Sequence, residues 1–376
     1  MNWLRRARES ATLSTRCEHW PSSFQILAAD VESLMWARSH LSCTVLPHTF
    51  PAGHRETLVV VASDRQVVDA VRTELSRTPT HVVEGFRGQF WQRGTIGSLG
   101  AWYCPEGPEG GHAVVRMGED AWLVAAHSSA VSALAAVRLC REIQRMRLAC
   151  HRAVTVHSSL VILPGLGGVL FAGASGAGKT TLSLALAQRG GFVVDTDQLY
   201  LLDYGGVGML GAGLPNAHRV GAGTWDRLSQ VSGASSVALL RGSSADLDGN
   251  PKYGKTWVTA LEAEVVHRVA SAPAARIDVI VLLTAEHGLV EPRLKGLGRD
   301  QAVAWLRRET LAADLLHAEF WLAEPDEIPP TGVTERDIGE VVGRIPMASL
   351  HWDPTRHDIG DVLRCLHAKF PGMSVL

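Results

Sequence analysis

The chain has 376 residues, of which 46% are hydrophobic and 20% charged, and its formal net charge at pH 7 is −2. This composition excludes a mainly disordered chain, and the length suffices for two domains of ordinary size. The balanced charge and the absence of an apolar run of roughly 18–20 residues give no support for a nucleic-acid or membrane partner. The six cysteines are scattered and show no C-x-x-C spacing, so we expect free thiols and a cytoplasmic protein.

The first 150 residues predict a polar arm followed by a small α/β domain. Residues 1–23 are polar and mixed, and we expect an arm or a peripheral helix there; the domain is expected to span residues 24–150. Apolar runs and helical periodicity predict a strand at 56–62, a helix at 65–75, strands at 110–116 and 121–126, and a helix at 129–149. Ser63 or Asp64 is expected to cap the helix at 65–75.

The helix predicted at 129–149 carries several basic residues, namely Arg138, Arg141, Arg145 and Arg147. We interpret them as a solvated basic face. The alternative is a contact to substrate or to a neighbouring subunit of a homo-oligomer.

Residues 151–376 predict a second domain with a mainly β core and flanking helices. It begins with strands at 154–163 and 168–172, joined as a hairpin, followed by a helix at 180–188 and a strand at 192–195. The later elements are strands at 199–202, 207–210, 276–283 and 347–350, and helices at 299–318, 335–343 and 358–369. Residues 211–257 are rich in Gly, Ser and Asn, and we expect a loop region there that is functional or mobile.

A glycine-rich segment, Gly173-Ala-Ser-Gly-Ala-Gly-Lys-Thr180, matches the G-x-x-x-x-G-K-[ST] phosphate-binding loop known as Walker A. A predicted strand precedes it and a predicted helix follows, which is the context that this motif requires. The glycines allow backbone N–H groups to surround a phosphate, Lys179 supplies charge from a solvent-facing loop, and Thr180 is a ligand for Mg²⁺. The expected nucleotide-binding residues are Gly173, Ser175, Gly176, Ala177, Gly178, Lys179, Thr180 and Thr181.

His157 lies on a predicted strand before the loop, the loop helix is predicted to end in Arg189-Gly190, and an acidic strand follows. With these features, residues 153–203 resemble the HPr kinase/phosphorylase family of P-loop kinases. The resemblance extends loosely through the strand at 276–283, and it implies an HPr-kinase-like P-loop domain that uses ATP and Mg²⁺ to phosphorylate a hydroxyl. The N-terminal half looks more like the front half of bacterial relatives of the family, some of which phosphorylate peptides in biosynthetic gene clusters.

Asp195-Thr196-Asp197 stands where the family has two adjacent aspartates, with Thr196 at the position of the family's proposed base. Because alternate residues of a strand share a face, we expect both carboxylates to point toward the phosphates and Thr196 to point away. Asp197 would then hold Mg²⁺ with Thr180, and either aspartate would accept the hydroxyl proton. The alternative is that one of them is a surface or turn aspartate.

His157 has two interpretations. In the resembling family its counterpart lies near the phosphates, but a histidine flanked by apolar residues is equally typical of a hydrogen-bonded structural position. Phosphoryl transfer needs positive charge beside the phosphoryl oxygens. We expect Lys255 or Lys252 to supply it, with Arg219 and Arg241 as weaker candidates.

The sequence therefore predicts an enzyme, a Mg-ATP-dependent kinase whose acceptor is a serine of a peptide or small protein, or alternatively the hydroxyl of a small molecule. The predicted catalytic residues are Asp195, Asp197, Lys179, His157 and Lys255. A different class remains open: a nucleotide-binding regulator that hydrolyses ATP slowly or not at all, which the threonine at position 196 favours.

Overall fold

The computed structural model describes residues 2–41, 55–84, 89–105, 111–151, 153–203, 208–214, 217–232, 255–314, 321–322 and 345–371. The chain divides into two compact units. The N-terminal unit takes its described residues from Met1–Ser42, Pro47–Leu148 and His317–Pro329, and the C-terminal unit from Ala149–Leu316 and Pro330–Leu376. No described helix is long and apolar enough to span a membrane. Both units combine helices with β-sheet, which confirms the mixed α/β class expected from the sequence.

The N-terminal unit is built on one eight-stranded sheet. Its strands are β1 (Leu13–Glu18), β2 (Ser22–Ala28), β3 (Arg55–Ser63), β4 (His81–Glu84), β5 (Phe90–Ile96), β6 (Leu99–Cys104), β7 (His112–Gly118) and β8 (Ala121–Ala126). They lie in the order β1-β2-β3-β8-β7-β6-β5-β4, with β2, β3 and β8 parallel and the other pairs antiparallel. Helices α2 (Val31–Leu41) and α4 (Ser129–Cys150) cover one face, and α1 (Asn2–Ser10) and α3 (Arg65–Leu75) cover the other.

Local signals predict several of these elements closely. The helix expected at 65–75 is α3 with the same bounds, and the Asp64 side chain caps it by accepting the backbone N–H of Gln66 at 2.7 Å. The segment 1–23, expected to be an arm or a peripheral helix, does contain a helix, α1, but it also contains β1 and the start of β2. β1 pairs with β2 along its whole length and buries Cys17 in the core, so the segment belongs to the sheet.

Trp321 and Leu322 join the core of the N-terminal unit, although the elements that precede them in sequence belong to the C-terminal unit. The Trp321 indole stacks on Trp91 with ring centroids 4.2 Å apart and meets Trp102 edge-on at 6.5 Å. The Trp102 indole N–H donates to the Trp321 carbonyl at 3.0 Å. A division of the chain at residue 150 therefore leaves out this later segment, which returns to the N-terminal unit. The sequence around residue 321 does not indicate this, because the contacts join residues far apart in the chain.

The C-terminal unit contains two sheets and a two-stranded ribbon. Its strands are β9 (Val154–Val156), β10 (Ser158–Leu163), β11 (Gly167–Ala172), β12 (Phe192–Asp195), β13 (Leu199–Asp203), β14 (Met209–Gly213), β15 (His218–Gly221), β16 (Lys255–Val258), β17 (Ala270–Ser271), β18 (Ala274–Arg276), β19 (Val279–Ala285), β20 (Arg293–Gly296) and β21 (Met347–Trp352). The seven-stranded sheet has the order β17-β12-β10-β11-β19-β21-β20, the four-stranded sheet the order β18-β14-β13-β9, and β15 pairs with β16.

The seven-stranded sheet buries a separate core on each face, as the alternation of its strands requires. Its helices are α5 (Lys179–Ala187), α6 (Ala222–Ser232), α7 (Ala260–His267), α8 (Arg299–Asp314) and α9 (Ile359–Lys369). Helices α5, α6, α7 and α9 pack on one face, against Val169, Phe171 and Val281 among others. The four-stranded sheet and α8 pack on the other face, against Leu170 and Ile280.

Three sequence expectations for this unit differ from the structure. The strand expected at 154–163 divides at His157, because β9 and β10 belong to different sheets. The strand expected at 276–283 likewise divides into β18 and β19. The loop expected at 211–257 instead contains β15, α6 and β16 among its described residues, while residues 233–254 and the helix expected at 335–343 lie outside the described part of the chain.

Candidate functional site

Several strands of the seven-stranded sheet end at the same edge. β11, β19 and β21 pair in parallel, and β12 has the same direction because β11 and β12 both pair antiparallel with β10. The segments after these strands therefore lie at one edge of the sheet, together with His157, which precedes β10. In open α/β sheets ligands bind outside the carboxyl ends of the strands. This edge is accordingly the candidate site.

Residues 173–178 connect β11 to α5 directly, in the arrangement expected for a phosphate-binding loop. Gly176 and Gly178 have φ values of 84° and 93°, which residues with a Cβ rarely adopt. Residues 174–176 are exposed, whereas Ala177 is buried. The loop thus has an open tip, and its base leads into the N-terminus of α5, and the N-terminus of a helix favours an anion.

Lys179 is buried, in contrast to the solvent-facing position expected from the sequence. The residue is 6% exposed, and its Nζ donates to the carbonyl of Gly173 at 2.5 Å and to that of Ala174 at 3.4 Å. A buried ammonium group requires such partners, and the carbonyls of the loop itself supply them. The charge is therefore held inside the segment that the motif assigns to phosphate.

The two threonines after Lys179 tie the loop helix to its neighbours. Thr180 Oγ1 donates to the carbonyl of Thr196 at 3.3 Å, which brings the expected Mg²⁺ ligand to the segment that follows β12. Thr181 Oγ1 and Thr224 Oγ1 lie 2.6 Å apart and join α5 to the first turn of α6. The Thr181 hydroxyl, expected to contact nucleotide, is thus engaged with α6.

The strand alternation expected for Asp195 and Asp197 is not observed, because β12 ends at Asp195. The Asp195 carboxylate accepts the backbone N–H groups of Asp197 at 2.8 Å, Gln198 at 3.2 Å and Leu214 at 3.1 Å. The first two bonds turn the chain into a bend at residues 196–197. Burial raises the pKa of Asp195 to about 6, although the backbone donors oppose this rise. Asp195 is therefore a buried carboxylate that shapes the bend.

Asp197 is the exposed carboxylate of the bend, and it lies beside His157. Its side chain is 54% exposed, and its Oδ1 is 3.4 Å from His157 Nδ1. The same Nδ1 lies 2.8 Å from the Asp197 carbonyl, and because a carbonyl only accepts, this nitrogen carries the proton. The structure thus brings together two of the predicted catalytic residues and orients the imidazole.

Two residues near the loop and bend were missed by the sequence analysis. His218 Nδ1 lies 3.2 Å from the buried Thr196 Oγ1, and burial lowers the His218 pKa to about 4, so this ring is neutral near pH 7. Trp352, the last residue of β21, is fully buried, and its indole N–H donates to the Ala177 carbonyl at 3.0 Å. Only the tertiary structure relates these two residues to the loop and the bend.

Two of the four predicted cationic residues lie in the described part of the chain. Lys255 begins β16 and is the register partner of Gly221 on β15. Arg219, also on β15, is half-buried, whereas Lys252 and Arg241 lie outside the described residues.

Thr180 and Asp197 remain the candidate Mg²⁺ ligands. Among the residues that the structure describes, no group of three or more His, Cys, Asp or Glu is placed to hold a metal ion. A hydroxyl and a carboxylate are hard oxygen donors, and Mg²⁺ in phosphate sites takes one or two protein oxygens together with phosphate oxygens and water. In their chemistry the two side chains therefore suit a Mg²⁺ ion that arrives with a nucleotide.

Comparison with known proteins gives a weak structural likeness only. No protein-family model matches the chain, and no curated protein is significantly similar to it. Among solved structures, the Hpr(Ser) kinase/phosphatase from Coxiella burnetii is 14% identical over 57% of this chain and 94% of that chain, with a TM-score of 0.28. So low a TM-score supports no functional assignment.

Proposed function

We propose that this chain is a Mg²⁺-dependent kinase that transfers the γ-phosphate of ATP to a hydroxyl group. The observation that carries the proposal is the loop at 173–178. It combines a strand–loop–helix connection, two glycines at positive φ and a lysine ammonium enclosed by the loop carbonyls. These features support a polyphosphate site in which backbone N–H groups and the Lys179 ammonium group would donate to phosphate oxygens.

Each neighbouring residue has a role in this proposal. Lys179 would exchange the carbonyls of Gly173 and Ala174 for phosphate oxygens, and the N–H groups at the start of α5 would bind the same anion. Thr180 and Asp197 would hold Mg²⁺, which would supply positive charge to offset the negative charge of the phosphate groups. Lys255 is proposed to add positive charge from β16.

We propose that Asp197, in the bend after β12, acts on the acceptor hydroxyl. Asp197 and His157 are the exposed and half-buried members of a hydrogen-bonded pair, and Asp197 would accept the hydroxyl proton or position the hydroxyl for attack. Asp195 is a poorer candidate, because its carboxylate is buried and accepts three backbone N–H groups. The proposed acceptor, a serine of a peptide or small protein, follows from the sequence resemblance, and a small-molecule hydroxyl is the alternative.

The engagement of Asp195 also favours a second candidate function. A kinase that uses one carboxylate for Mg²⁺ and another as base would have only Asp197 exposed at the bend. A nucleotide-binding regulator, with slow ATP hydrolysis or none, requires only the loop and a Mg²⁺ ligand. The two functions differ in whether a hydroxyl acceptor receives the phosphate.

The proposal is tested by transfer from γ-labelled ATP to serine-containing peptides and small hydroxyl compounds. Lys179→Ala should abolish transfer and weaken Mg-ATP binding, whereas the matched control Lys295→Ala, an exposed lysine on β20, should leave both unchanged. Without an acceptor, hydrolysis should be very slow, since a site built for a hydroxyl positions water poorly. Wild-type protein that binds no Mg-ATP would overturn the proposal. Hydrolysis at several turnovers per second without any acceptor would favour an ATPase.

A further inference from the structure

Trp352 contacts the base of the phosphate loop in two independent ways. Its indole N–H donates to the carbonyl of Ala177 at 3.0 Å. Its six-membered ring also lies next to Gly178, the residue after Ala177, so that a Cβ added to Gly178 would meet Trp352 Cζ2 at 2.5 Å. The polar contact and the steric contact fall on adjacent residues of the loop, immediately before Lys179.

The core and the strand pairing around Trp352 fix its position. The side chain is fully buried in the core that α5 shares with the sheet, and its backbone pairs with Ala285 at the end of β19. The Trp352 carbonyl also accepts the backbone N–H of Glu286 at 2.9 Å. The indole therefore lies in the core at the end of a paired strand, and the loop base packs against it.

The contact affects the backbone that the proposed function needs. Ala177 and Gly178 precede the first turn of α5, whose N–H groups would bind phosphate. A glycine-rich segment has many accessible backbone conformations, and only some of them direct these N–H groups at one point. A donor to the Ala177 carbonyl restricts the orientation of the peptide between residues 177 and 178.

We infer that Trp352 is a positioning residue that holds the phosphate loop in its anion-binding conformation before nucleotide arrives. The inference rests on the proposed function, because the loop must bind a polyphosphate for its preorganisation to affect affinity. Apparent affinity falls in proportion to the population of the competent conformation. A lost hydrogen bond that leaves a buried carbonyl unpaired is expected to raise the dissociation constant about fivefold or more.

The test compares Trp352→Phe with a matched control, Trp305→Phe. Trp305 lies on α8 in the same unit, but it packs on the opposite face of the sheet, away from α5. The probes are Mg²⁺-tripolyphosphate, ATP and adenosine, each titrated by calorimetry into the full chain. Trp352→Phe should weaken the binding of tripolyphosphate and ATP about fivefold or more and leave adenosine affinity unchanged, while Trp305→Phe should change none of them. Loss of stability alone would lower all affinities together, so the phosphate-specific loss identifies positioning.

A second variant keeps the test decisive if Trp352→Phe fails to fold. Incorporation of 3-benzothienylalanine at position 352 replaces the indole N–H by sulfur and preserves the shape of the ring, so it removes only the donor to Ala177. The same phosphate-specific loss is expected. Equal tripolyphosphate binding by wild-type protein and either variant would overturn the inference alone. Absence of polyphosphate binding by the wild-type protein would overturn both the proposed function and this inference.

Discussion

Alanine substitutions at Gly178 and Gly176 should differ strongly in their effect on stability, although both glycines lie in the same loop. Both have positive φ, 93° and 84°, so an alanine at either position suffers the same backbone strain. They differ in what the new methyl group meets. At Gly178 the methyl would lie 2.5 Å from Trp352 Cζ2, whereas at Gly176 nothing lies within 4 Å.

The expected magnitudes follow from these two terms. Placing a Cβ in the left-handed region costs about 1–2 kcal/mol, and this cost applies to both variants. Overpacking against a buried group adds about 1–3 kcal/mol at position 178 only, because the Trp352 ring lies in the core at the end of a paired strand. Gly178→Ala should therefore lower the free energy of unfolding by about 1–3 kcal/mol more than Gly176→Ala. The change that alanine makes to the unfolded chain is common to both variants and cancels in the difference.

Differential scanning calorimetry of the full chain measures this difference. The transition of the N-terminal unit is identified first as the one that shifts in Trp321→Ala, so that the remaining transition reports on the loop. A double variant, Gly178→Ala with Trp352→Leu, should cost less than the sum of its single substitutions, because the shorter side chain removes the clash. Equal destabilisation by Gly176→Ala and Gly178→Ala, or strict additivity in the double variant, would refute the steric reasoning.

Other expected outcomes concern the bend and the N-terminal unit. Because the folded-state pKa of Asp195, about 6, lies above its ordinary value of 3.8, its contribution to stability is fully present below about pH 4. It is lost as pH rises through about 6, by about 3 kcal/mol at most. Asp195→Asn should lack this pH dependence, so the difference in unfolding free energy between wild-type protein and variant should change with pH by that amount. Asp197→Asn should lower kcat about 100-fold in the transfer assay with little change in melting temperature, since its side chain is largely exposed; a normal kcat would exclude Asp197 from the chemistry. Trp321→Ala should destabilise the N-terminal unit by about 3–5 kcal/mol, because it empties the stack on Trp91, and a melting temperature equal to that of the wild-type protein would contradict that packing.

The sequence alone was sufficient for features that depend on neighbouring residues. The strand, loop and helix around residues 173–178 follow from contiguous apolar runs and from glycine spacing, and the α3 helix follows from its periodicity and its Asp64 cap. In each case the determining interactions lie within a few residues of one another, so the local pattern carries them.

The arrangement at the bend needed the tertiary structure. Period-two alternation holds only while a segment continues as a strand, and β12 stops at Asp195. The Asp195 carboxylate accepts the backbone N–H groups of Asp197 and Gln198 and also that of Leu214. Leu214 directly follows a separate strand, β14. No pattern within residues 192–197 indicates that Leu214 lies nearby. The prediction that Asp195 and Asp197 share one face of a strand was therefore wrong.

The same limit explains the residues that sequence analysis missed. Trp352 reaches Ala177, and Trp321 reaches Trp91, across long separations in the chain. A tryptophan near the end of a strand predicts burial in general, but its partner depends on which strands become neighbours in the sheet. The strand–loop–helix arrangement around residues 173–178 could be predicted from those residues themselves. The residues that support the loop depend on strand order, which is decided by the packing of both faces of the sheet at once.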